Sequence, residues 1–75
     1  MDWIERSSAA GESWPAEDLR LHRPGSVVAL KLAGGDRLAG VLSSVTADTL
    51  ELDGDEGPLE IDVRSVEGYA VVQSA

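Results

Sequence analysis

Six basic residues stand against 14 acidic ones in a 75-residue chain with a formal net charge of −8. Any reactive site must therefore be assembled from few residue types. Cysteine is absent and His22 is the only histidine, so neither a disulfide nor a Cys- or His-based zinc cluster can be built. His22 is close in sequence to Asp18 and Ser26, but that spacing does not define a nucleophile and its base. Glu60 and Asp62 fall on one face of a strand, on a convex exterior without a cleft. The run Asp53-Gly54-Asp55-Glu56-Gly57 opens like a calcium loop. Its twelfth position, however, is Arg64, where a bidentate glutamate would be needed, so the run reads as a solvated hairpin tip. The expectation is a protein that is not an enzyme and uses no cofactor or metal.

Binding is the remaining chemistry. Arg20, Arg23, Lys31, Arg37 and Arg64 make the candidate cationic face, suited to a single-stranded nucleic acid or an acidic protein segment. Charge is unevenly spread. Four bases and one acid lie between Arg20 and Arg37, whereas eight acids from Asp48 to Glu67 are opposed by Arg64 alone. The field of the whole molecule repels phosphate, and a local basic patch acts only within a screening length of about 8–10 Å. Trp3 and Trp14 both precede the strand-forming region. They read as anchors for a partner or as a lid folded over the core.

Two segments organise these residues. Residues 1–13 are small and polar and read as a flexible lead. Residues 14–75 form the folded domain. A short helix is predicted from Ser13 or Trp14 to about His22, with Ser13 as cap, Pro15 in the first turn and Glu17 and Asp18 at the positive end of the dipole. Leu19 is expected to face the core, and Pro24-Gly25 to stop the helix. The pattern then becomes period two. Strands are predicted at 26–33, 37–46, 49–53, 59–63 and 67–73, with Gly34-Gly35-Asp36 as the first turn. The second strand changes phase, because Val45 rather than Ser44 follows Leu42 as the next apolar residue, as at a bulge. Gly40 occupies a strand interior, where glycine marks close approach of a neighbour or a tight bend. Together these features predict a mainly β domain. After a short N-terminal helix, five strands bend strongly into a small barrel around Val28, Leu30, Leu42, Leu50 and Ile61.

The stretch from Leu21 to Val72 resembles the Sm-like family of small SH3-type barrels, which includes Hfq and the LSm proteins. Val28-Ala29-Leu30-Lys31-Leu32, Gly34-Gly35-Asp36 and Gly40-Val41-Leu42 match the first family motif. Val63-Arg64-Ser65 matches half of the second, whose glycine is replaced here by Ser65. RNA-binding members carry an Asp and, four residues later, an Asn that contacts the base; here those places hold Thr46 and Leu50. The loop around Val45 to Asp48 also lacks a ring on which a base could stack. Arg64 is therefore the residue that carries over as a phosphate or base contact. The C-terminal barrel of the ribosome maturation factor RimP is a second resemblance.

The Sm-like resemblance implies a homo-oligomer, often a ring, in which the fourth strand of one copy pairs with the fifth of the next. Leu59, Ile61, Val63, Tyr69 and Val71 mark those edges, and a basic segment of one copy could face an acidic segment of another. The small size of the chain also favours self-association, since it limits the core one copy can build. RNA is the ligand that the resemblance implies. A protein-interaction adapter of SH3-like type, without a nucleic-acid role, is the alternative. The start of the chain has no basic region followed by a long apolar run, and no stretch approaches the roughly 20 apolar residues that span a bilayer. A cytoplasmic protein with no membrane partner is expected.

Overall fold

Alternating side chains between Val27 and Gln73 impose the architecture, because each strand has one apolar face to bury. The computed structural model describes residues 2–11 and 14–75. It contains six strands: β1 (Ile4–Glu5), β2 (Val27–Leu32), β3 (Arg37–Val45), β4 (Thr49–Gly54), β5 (Gly57–Asp62) and β6 (Val66–Gln73). They form one antiparallel sheet in the order β1-β6-β2-β3-β4-β5. Short 3-10 turns occupy Leu19–His22 and Val63–Ser65.

The turns follow from their residues. Gly34 and Gly35 both take left-handed backbone angles between β2 and β3, which glycine adopts without steric cost. The Leu32 N–H donates to the Asp36 carbonyl at 2.8 Å and closes that hairpin. After β3, the Thr46 hydroxyl accepts the N–H groups of Asp48 and Thr49 at 3.2 and 3.0 Å. Gly54 pairs with Gly57, so the acidic Asp53–Gly57 run is the β4–β5 hairpin turn.

Gly40 lies on the inward face of β3 between Leu38 and Leu42. A Cβ there would stand 2.9 Å from the Asp53 carbonyl oxygen and 3.3 Å from the Leu52 Cβ. An inward Cβ in a flat sheet would not meet the backbone of the next strand, so β4 must fold over the inner face of β3. The β3–β4 register shifts between Leu42 and Ser44, where the apolar phase changes. The sheet is bent enough for Ile61 of β5 and Tyr69 of β6, four places apart in the strand order, to share one core. Leu21, Val28, Leu30, Leu42, Leu50, Leu52, Val63 and Val66 complete that core.

Four expectations are corrected. The sheet is not closed: β1 and β5 are its two ends, and β1 adds a sixth strand within the segment expected to be a flexible lead. Two residues cannot show period-two alternation, and β1 is held instead by tertiary bonds to β6. No α-helix precedes the sheet among the described residues, and Ser13, its expected cap, lies outside them. Asp18 has an extended backbone, and its side chain caps the short turn that follows by accepting the Arg20 N–H. Resetting the chain at Asp18 also reverses the two leucines. Leu19 is 79% exposed, while Leu21 is fully buried.

Gly40→Ala is expected to destabilise the fold by about 1–3 kcal/mol, because the obstruction is backbone and cannot rotate away. Urea unfolding of this variant beside the parent chain measures the loss; an unchanged midpoint would mean that β3 and β4 are not in close contact.

Candidate functional site

The sequence singled out the cations, the two tryptophans and the outer strands. Two of the cations belong to a repeated local device. Asp18-Leu19-Arg20 and Asp62-Val63-Arg64 each open a 3-10 turn, with the aspartate accepting the backbone N–H of the arginine two residues on, at 2.9 Å in both cases. The same aspartate then pairs with that arginine's guanidinium, at 2.7 Å for Arg20 and 3.4 Å for Arg64. The Arg64 N–H and guanidinium hold the Asp62 carboxyl below its ordinary range. Lys31 Nζ lies 3.5 Å from Glu5 of β1. Arg37, directly across from Lys31 in the β2–β3 register, sets its guanidinium over the Trp3 ring at 5.8 Å. Arg23 is exposed. The structure thus brings Lys31 and Arg37 together and puts Arg20 and Arg64 on separate turns, each beside its own acid.

Tyr69 extends the first of these devices into the core. Its hydroxyl donates to Asp18 Oδ2 at 2.6 Å. Asp18 therefore receives Arg20 and Tyr69 together, and its carboxyl is held well below the usual carboxylate range, chiefly by the Arg20 hydrogen bond. Burial, reinforced by the neighbouring Asp18 charge, pushes the Tyr69 phenol up to about 12. Trp14 packs against the core with its ring 5.5 Å from that of Tyr69. His22 donates through Nε2 to the Ala16 carbonyl at 2.6 Å and bonds to neither Asp18 nor Ser26. Ser26, fully buried, accepts the backbone N–H of Ala75 at 3.0 Å.

Arg6 is the functional-looking residue that the sequence reading passed over. Its guanidinium donates to the carbonyls of Val63 at 2.8 Å, Val66 at 3.1 Å and Trp14 at 3.4 Å. It also lies 4.8 Å over the Trp14 ring. Its backbone N–H extends the β1 pairing by donating to the Glu67 carbonyl at 2.8 Å. One arginine therefore ties the N-terminal segment to β6, to the turn before β6 and to Trp14. A lone arginine between Glu5 and Ser7 gives no sequence signal for such a clamp.

The outer strands differ from each other. Among the described residues, β5 has β4 on one side and no strand on the other. β6 is flanked by β2, and on its other side by β1 at Gly68 and Tyr69; among the described residues, no strand lies on that side from Ala70 to Gln73. Of the residues expected to mark these edges, Ile61, Val63 and Tyr69 bury their side chains in the core, and Val63 belongs to the 3-10 turn rather than to β5. Leu59 is 39% exposed and Val71 is half-buried. A partner at either edge would therefore meet mainly backbone.

Fold and site together define a mainly β protein built on one bent antiparallel sheet with unequal edges. No family model matches the chain, and neither does any curated protein or solved structure. Among the described residues, no helix is long and apolar enough to cross a membrane, and no group of three or more His, Cys, Asp or Glu could hold a metal ion.

Asp18 and Tyr69 make stability depend on pH at both extremes, Asp18 chiefly through the Arg20 hydrogen bond and Tyr69 chiefly through burial. Asp18 contributes stability above its ordinary value of 3.8, and that contribution is lost as pH falls toward the depressed folded value. Tyr69 contributes below pH 10, and its contribution is lost as pH rises through about 12. Tyr69 is the only tyrosine, so phenolate absorbance reports on it alone. The expected midpoint is about 12; one at 10 would show an unbonded, solvated phenol. Tyr69→Phe is expected to cost about 1–2 kcal/mol in urea unfolding at neutral pH.

Proposed function

We propose that the chain is a non-enzymatic binding and scaffolding module, a small barrel of the Sm-like or SH3-like kind, that self-associates through edge strand β5. The observation that carries this reading is the uncovered outer side of β5, a six-residue strand with one sheet neighbour. Pro58 has no N–H, and Val63 N–H donates inward to Asp48 O at 3.0 Å. Two-residue alternation between these points turns the N–H groups of Glu60 and Asp62 outward, where another strand could accept them.

Charge selects the kind of strand. A second β5 laid against the first would bring Glu60 and Asp62 of both copies together, beside the Glu51 that already faces Glu60. The segment Ala70–Gln73 carries no charge. Pairing of β5 with β6 of another copy is therefore favoured over β5 with itself, and such head-to-tail contacts generate rings when the rotation closes. β5 and β6 correspond to the fourth and fifth predicted strands, which the Sm-like resemblance assigns to assembly.

For the ligand, the pairing of Arg20, Lys31 and Arg64 with carboxylates favours a protein partner over RNA. A cytoplasmic setting suits either.

Native mass measured across a concentration series is expected to show species above the 7.9 kDa of one copy. Glu60→Pro removes an outward donor without touching the β4 ladder and is expected to return the assembly to single copies. A concentration-independent monomer in the parent chain would overturn the proposal. Labelled poly-U at low salt is expected not to bind at micromolar protein; binding that Arg64→Ala weakens would restore the RNA reading.

A further inference from the structure

We infer that β1 is an intramolecular stand-in for the partner strand, docked on the β6 edge that a second copy's β5 would occupy. This inference rests on the self-association proposed above. Three observations carry it. First, β1 pairs with only two residues of β6, Tyr69 through Ile4 and Gly68 through Glu5, and leaves Ala70–Gln73 without a strand on that side. A neighbouring strand can therefore begin pairing on the half without a paired strand and advance by displacing β1 and the residues that lead into it. Second, β1 repeats the pattern of β5. Ile4-Glu5 is an apolar residue followed by an acid, as are Leu59-Glu60 and Ile61-Asp62, and both strands run antiparallel to their sheet neighbour.

Third, the edge has a counter-charge suited to that pattern. Gly68 lies between Glu5 on β1 and Lys31 on β2, and Lys31 Nζ reaches Glu5 Oε1 at 3.5 Å across a residue with no side chain to block the path. A Cβ at Gly68 would meet the Ile4 carbonyl oxygen at 3.3 Å, so the edge is shaped for close strand contact. A β5 strand docked in the same register would place Asp62 or Glu60 where Glu5 now sits, within reach of the same lysine. The occupant is thus a second copy of this chain, read by backbone pairing and by one cation. Arg6 fixes how far the cap can move. Its bonds to Val63, Val66 and Trp14 lie just beyond β1, so residues 2–5 can leave the edge while Arg6 stays in place.

A cap docked about 90% of the time raises the apparent dissociation constant of the assembly about tenfold. The test compares the full chain with a chain lacking residues 1–5 and with the full-length double variant Ile4→Ser, Glu5→Lys, which keeps Arg6 and sets a like charge beside Lys31. Analytical ultracentrifugation over a concentration series is expected to show both altered chains assembling at least about tenfold more tightly than the parent, and a synthetic peptide of residues 2–8 reversing the gain. Circular dichroism establishes that each is folded. Equal association of parent and variants overturns the cap but leaves self-association standing. Monomers throughout overturn both.

Discussion

The contact on which the rest of the molecule depends is the approach of β4 to Gly40. The inner face of β3 has no side chain there, and the Asp53 carbonyl fills the space that a methyl group would take. From that point the bulge between Leu42 and Ser44 carries β3 into a second pairing, with residues 37–41 on β2 and 41–45 on β4. One nine-residue strand thus serves two differently inclined halves of the sheet. Only with such a bend can a 75-residue chain place Leu50, Leu52 and Ile61 of one half against Leu30, Val66 and Tyr69 of the other and bury them all. A flat sheet of this size would leave one apolar face wet.

The strands and the bend were legible because they are written in periodicity. Alternation from Val27 onward gives every strand but one to within two residues, and the phase change at Val45 marks the bulge. What was not legible depends on partners distant in sequence. Asp18 sits where a helix could run, but Tyr69, 51 positions later, and Arg20 take its carboxylate and fix an extended backbone. That single reset inverts the burial of Leu19 and Leu21. β1 is invisible for a related reason. Its pairing is decided by Arg6 reaching carbonyls near residue 65, and a backbone carbonyl leaves no trace in a sequence.

The candidate cations teach the same lesson about charge. Counting from Arg20 to Arg37 suggests a basic face, yet the fold sets Arg20 and Lys31 beside acids and Arg37 over the Trp3 ring. Arg20 and Arg64 each answer an aspartate two positions earlier, a spacing that can be read directly once a 3-10 turn is known to follow. Lys31 answers Glu5, which only the sixth strand brings near. The Lys31–Glu5 and Arg64–Asp62 pairs are exposed and salt-screened, so their weight lies less in stability than in what they leave behind. The surface that remains is acidic along β4 and β5, from Glu51 to Asp62, and this sign governs what can approach the free edge.

The two ends of the sheet handle the same hazard in different ways. An unpaired strand edge invites any other strand, and small β proteins guard against that with proline, charge or cover. β5 uses the first two: Pro58 withholds a donor, and Glu60 and Asp62 repel another strand like themselves. β6 uses cover, and the cover is short. Ala70–Gln73 is uncharged and has no proline, and among the described residues Ile4 and Glu5 are the only strand on that edge. The asymmetry has a direction. The acidic edge repels strands of its own sign, whereas the β6 edge carries no charge from Gly68 to Gln73 and has Lys31 across from Gly68, so the two edges of one chain differ in the charge they present.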